Sequence, residues 1–170
     1  MRERLVADEA QTCTMNSYLI MKWAHVLSSV LLVGTGFGSA YTMFFANRSG
    51  SIATQAEVSR MVVRADWWFT TPAAVTQLLT GLWLAHWGGW PIATPWIAWS
   101  LFLFGLAGAC WLPVVWLQLR MAAIARQALQ NASALPPLYA RYARRWECLG
   151  FPAFTAMLLV YYMMVAKPAL

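Results

Sequence analysis

The chain has 170 residues, of which 61% are hydrophobic and 11% charged, with 11 tryptophans and a mean hydropathy of +0.54. That composition excludes a soluble globular domain and defines an integral membrane protein. Twelve basic residues against six acidic give a net charge of +6, but the basic ones sit beside apolar runs and form no aromatic-lined basic groove, which excludes nucleic acid as a partner.

Residues 1–16 read as a polar leader, with Arg2, Glu3, Arg4, Asp8 and Glu9, and residues 17–170 as one membrane domain. No short apolar core with a small-residue cleavage site precedes the first long apolar run, so that run is expected to be retained; Met15 is an alternative start. Four apolar segments, near 18–45, 67–87, 96–118 and 149–166, each approach the ~20 residues that cross a bilayer. They predict an all-α fold, a four-helix transmembrane bundle. The first segment is long enough to tilt, and Asn47-Arg48-Ser49-Gly50 ends it.

Between the first two segments, Thr54 to Arg64 is amphipathic and is expected to lie on the membrane surface, with Asp66-Trp67-Trp68 marking the interface. Thr70-Thr71-Pro72-Ala73 then starts the second span with threonine caps and a first-turn proline. The link at 88–95 is a tight uncharged turn flanked by Trp87, Trp90, Trp96 and Trp99, an aromatic belt. In the third span Pro113 removes a backbone hydrogen bond and predicts a kink beside Cys110-Trp111-Leu112. Before the fourth span, Arg144, Arg145 and Glu147 frame Trp146 as a surface ion-pair cluster.

Arginines decide the orientation. Arg48, Arg60 and Arg64 follow the first span, while Arg120, Arg126, Arg141, Arg144 and Arg145 follow the third. The positive-inside rule puts both loops in the cytoplasm and both termini outside, as in a multi-pass protein of an inner (cytoplasmic) membrane.

Polar residues inside the apolar runs carry the functional signal, because each needs a partner, a cofactor or water. His25 lies about 10 Å below the outer boundary at 1.5 Å per residue, and His86 ends the second span on that same side. Two histidines from neighbouring helices can ligate haem iron, and Lys22 stands where a propionate would lie. The expected cofactor is haem b, with His25 as iron ligand, His86 as second ligand and Lys22 at a propionate. The alternatives stay open: His25 as an interhelical hydrogen-bond donor, His86 as an interfacial residue, and Lys22 snorkelling to the boundary. Gln77 in the second span needs a partner, by default another helix. Gly34 and Gly38 form a small-x-x-x-small pair that lets helices pack closely, which points to a homo-oligomer or a larger membrane complex. Met21, Met163 and Met164 with His25 make copper handling a third reading. Cys13, Cys110 and Cys148 lie in separate segments and form neither a disulfide framework nor a zinc-like cluster.

From Tyr18 to Pro168 the chain resembles the bacterial membrane-protein family of domain of unknown function 2269. The likeness rests on Lys22-x-x-His25-Val26-Leu27-Ser28-Ser29, Gly34-Thr35-Gly36-x-Gly38, Asp66-Trp67-x-Phe69-Thr70-x-Pro72-Ala73, Trp111-Leu112-Pro113-Val114-Val115-Trp116-Leu117-Gln118, Gly150-x-Pro152-Ala153-Phe154 and Lys167-Pro168. More distantly it resembles HemJ-type protoporphyrinogen oxidases and CopD-like membrane proteins, which open with a similar Lys-x-x-His. The HemJ-type likeness extends to Pro72-Ala73, Leu79-Thr80-Gly81-Leu82-Trp83-Leu84, Arg145, Glu147 and Lys167-Pro168, and implies haem b on His25. The third span departs from that pattern: Trp96-Ile97-Ala98-Trp99-Ser100 stands where those proteins carry a histidine and a lysine.

Overall fold

The computed structural model describes the backbone of residues 2–168 and the side chains of residues 15–168. The regular elements among them are all helical: α1 (Arg2–Arg48), α2 (Ile52–Ala65), a π-helical turn (Asp66–Thr70), α3 (Thr71–Trp87), α4 (Pro95–Gln130) and α5 (Pro137–Ala166). This is the expected four-helix architecture, with α2 added as a short bracket. Met15–Arg48, Pro95–Gln130 and Pro137–Ala166 are each long and apolar enough to cross a membrane. α3 has 17 residues, and the π turn feeds straight into it. The combined run reaches about 30 Å, the thickness of the hydrocarbon core.

Helix ends differ from the apolar boundaries in the sequence. α1 is helical from Arg2, so the leader continues the first span as one helix; its side chains, Cys13 included, lie outside the described ones. α4 continues past Gln118 to Gln130, and α5 begins at Pro137 instead of near 149. The segment Arg120 to Gln130 is rich in Ala, Leu, Gln and Arg, all strong helix formers. Hydropathy reports where lipid ends, whereas propensity sets where the helix ends. α4 passes through Pro113 without a break in its assignment.

α1 stops at Arg48, and Gly50, at φ +71°, takes the left-handed turn that a side chain would strain. Ser51 then caps α2 by accepting the amide N–H of Thr54 at 3.3 Å. The amphipathic stretch forms α2, and its buried face, Gln55, Ala56, Ser59 and Val62, packs mainly against α4. On its outer side Arg60 pairs with Glu57 and, chiefly through that hydrogen bond, holds the carboxyl below its usual range.

The helices associate as two pairs. α4 lies along α5 with the most extensive contact, α1 lies along α3, and α1 meets α5 only sparsely. α2 ties the pairs together at the arginine-rich end, where Met43, Val62, Leu117, Met121, Tyr139 and Trp146 share one core. A smaller cluster of Leu103, Ala107, Ala156 and Val160 holds α4 to α5 further along. Outward-facing residues such as Trp23, Val30, Leu79, Leu112 and Phe151 are exposed, as a lipid-facing surface requires.

Candidate functional site: a histidine knot and an apolar groove

His25 is half-buried between α1 and α3. Its Nδ1 lies 2.9 Å from Thr80 Oγ1, and its Nε2 lies 3.0 Å from Gln77 Nε2. One placement of the proton satisfies the neighbouring bonds. Thr80 donates its hydroxyl to Thr76 O at 2.5 Å, so its oxygen is free to accept from His25 Nδ1–H. Ser28 donates to Gln77 Oε1 at 2.7 Å, which turns the Gln77 amide N–H toward His25 Nε2. Nε2 then carries the lone pair. Ser28, Gln77, His25, Thr80 and the Thr76 carbonyl form one satisfied chain of bonds across the two helices.

The backbone makes room for this knot at Gly81. A Cβ there would sit 3.0 Å from His25 Cε1, so even alanine would press on the ring. The sequence singled out His25 and Gln77 separately as residues needing partners; the structure makes them each other's partner. Gln77 bonds another helix, as its default reading held.

The other residues named with His25 lie apart from the knot. His86 is exposed in the last turn of α3, about 7.5 Å along the axis beyond Gly81. Lys22 is exposed, with its Nζ 6.0 Å from the centre of the Tyr18 ring. Lys167 lies 5.3 Å from the centre of the Trp96 ring, within the tryptophan-lined end of the molecule. Among the described residues no group of three or more His, Cys, Asp or Glu side chains is placed to hold a metal ion. Gly34 and Gly38 have nothing within 4 Å of an added Cβ, so within one chain they pack against no other helix.

Between α1 and the α4/α5 pair, where contact is sparse, lies a groove of about 620 Å³. It follows α1 from Leu32 to Phe45, about 20 Å at 1.5 Å per residue. Its walls are almost wholly apolar, with Phe37, Phe44, Trp111 and Phe154 among them. Ser39 and Tyr41 line it along α1, and the buried polar residues gather at the arginine-rich end. Asp66, Gln118 and Trp146 line that floor with only 4%, 4% and 6% of their surface exposed.

These three were misjudged or passed over in the sequence. Asp66 was expected to mark the interface together with Trp67 and Trp68; the two tryptophans are exposed but the acid is buried. The π turn explains the difference, since its wider coil turns Asp66 inward while Thr70 donates to Asp66 Oδ1 at 2.9 Å. Nor do Thr70 and Thr71 cap α3, because Thr71 donates to the Asp66 carbonyl at 2.8 Å. Trp146 was placed in a surface cluster and is buried instead. Glu147 bonds Arg48 of α1 at 2.8 Å, not its neighbours Arg144 or Arg145, and Trp146 packs into the core with Leu117 and Met121.

Asp66 Oδ2, Gln118 Oε1 and Trp146 Nε1 are buried with no hydrogen-bond partner. A group left in that state typically costs about 1–3 kcal/mol, so three at one place in a groove are a feature to explain. The sequence did carry one signal for them: Asp66 and Gln118 are polar residues at the edges of apolar runs.

The arrangement defines a helical multi-pass membrane protein with an apolar groove between two helix pairs and a buried polar floor. Residues 19–168 match the family described as predicted integral membrane protein, domain of unknown function 2269, and the chain belongs to that family. No curated protein and no solved structure matches it.

Proposed function

We propose that this integral membrane protein binds a lipophilic molecule drawn from the bilayer. The observation that supports this is the groove of about 620 Å³ with largely apolar walls and a group of buried polar residues at one end, the usual make-up of a small-molecule site. A photoactivatable lipid in vesicles tests it. Crosslinks should concentrate on the α4 and α5 segments around Trp111 and Phe154, and Gly36→Trp, which places a ring in open groove space, should abolish them. Uniform labelling of all outward-facing helix surfaces, unchanged by Gly36→Trp, would refute the reading.

A second reading is haem b at His25, which the HemJ-type likeness implies. It is supported by the contact of His25 Nδ1 with Thr80, which, with Nδ1 as donor, leaves the lone pair on Nε2, the form in which histidine ligates iron. Iron ligation there requires the Gln77 amide to leave Nε2 and α3 to ease away at Gly81. Bound haem would supply one-electron chemistry within the bilayer. Oxidised-minus-reduced visible spectra of protein purified from haem-replete cells decide it: a near-stoichiometric b-type signal supports the reading, and colourless protein ends it.

A further inference from the structure

We infer that the groove's floor recognises the hydroxyl head of a neutral, single-chain lipid. This inference rests on the lipophilic-ligand reading and adds the chemistry of the head. The floor carries two acceptor atoms with no close partner, Asp66 Oδ2 and Gln118 Oε1, although the Gln118 side chain also reaches the Asp66 carboxyl, and one unpartnered donor, Trp146 Nε1. They come from three different elements, the π turn, α4 and α5, and all three side chains are more than nine-tenths buried.

The donor and acceptor balance selects the head. A hydroxyl both donates and accepts, so one hydroxyl satisfies Asp66 or Gln118 while receiving the Trp146 N–H, and a vicinal diol satisfies both acceptors. An ammonium head donates only and leaves Trp146 unpaired. A phosphate or carboxylate head accepts only. It would also meet the Asp66 carboxyl in a groove that, among its described lining residues, has no lysine, arginine or histidine. Glu147 does not compete at the floor, because Arg48 holds it.

The shape agrees with this head. The polar floor closes one end of the groove, and the apolar walls continue for about 20 Å along α1 towards Leu32. A tail would lie parallel to the helices with its head at the arginine-rich end, the posture of a lipid already in that leaflet. The π turn is the local device that makes the floor, since it turns Asp66 into the groove and leaves Thr70 to hold the other carboxyl oxygen. π-helical turns recur where a helix must present a side chain for function.

The test uses the full chain in mild detergent and native mass spectrometry titrations of three probes with the same long alkyl chain. These are a 1-alkylglycerol, its dimethyl ether and the alkylamine. The alkylglycerol should bind about tenfold more tightly than the ether, the order expected when a buried hydrogen bond is lost. Gln118→Leu and Trp146→Phe should each erase that preference while keeping ether affinity. Equal binding of alkylglycerol and ether overturns the head assignment and leaves the groove reading standing. It would mean that a protonated Asp66 donates to Gln118 and closes the floor on itself. Tightest binding by the amine overturns the assignment in favour of a cationic ligand. If none of the three binds, the groove reading itself fails and takes this inference with it.

Discussion

The knot at His25 and the floor of the groove are both polar clusters inside an apolar bundle, yet they treat their hydrogen bonds in opposite ways. At the knot each ring nitrogen of His25 has a partner, Gln77 and Thr80 are engaged on both sides, and Gly81 leaves room for the ring. At the floor, Asp66, Gln118 and Trp146 each retain a buried atom with nothing to bond. The knot fastens α1 to α3, whereas the floor lies where the α1/α3 pair parts from the α4/α5 pair. The contrast separates a structural contact from a recognition surface without appeal to either residue's chemistry alone.

The largest expected effect comes from breaking the knot. His25→Ala leaves Gln77 Nε2 and Thr80 Oγ1 without their shared partner and opens a void beside Gly81. Thermal unfolding in detergent should show a loss of about 2 kcal/mol, combining a cavity term with membrane hydrogen bonds that are individually modest. A stability equal to that of the native chain would mean the knot holds nothing together. A smaller effect is expected at the opposite face of α1. Gly34→Leu with Gly38→Leu adds bulk where one chain has open space, so the monomer's stability should hardly change. If a second copy packs there, the double variant should migrate as a monomer in mild detergent where the native chain migrates as a dimer. Identical migration would leave the glycines as lipid-facing residues with no partner.

Helix number and class were legible in the sequence because apolar length and propensity are local properties. His25 and Gln77 were legible as residues in need, because a polar group within an apolar run is conspicuous. Their pairing was not, since it depends on the register of α3 against α1, which no local pattern encodes. Asp66 and Trp146 were harder still. Both sit beside charged or aromatic neighbours that read as interface, and their burial follows from a π turn at Asp66 and from the packing of Trp146 against residues of α1, α2 and α4. The amphipathicity of α2 was plain, but the surface its buried face covers, on α4, was decided by tertiary packing.

The account's central claim is that one polar cluster is satisfied and the other is not, and two substitutions of the same kind test it side by side. Gln77→Leu and Gln118→Leu each exchange a glutamine for a leucine of similar size, measured as unfolding midpoints of delipidated protein in one detergent. Gln77→Leu should lower the midpoint, because it strips His25 Nε2 of its partner and leaves Ser28 Oγ only the His25 carbonyl. Gln118→Leu should leave it unchanged or raise it, because it removes a buried acceptor that had none. Equal losses for the two variants would contradict the distinction between knot and floor.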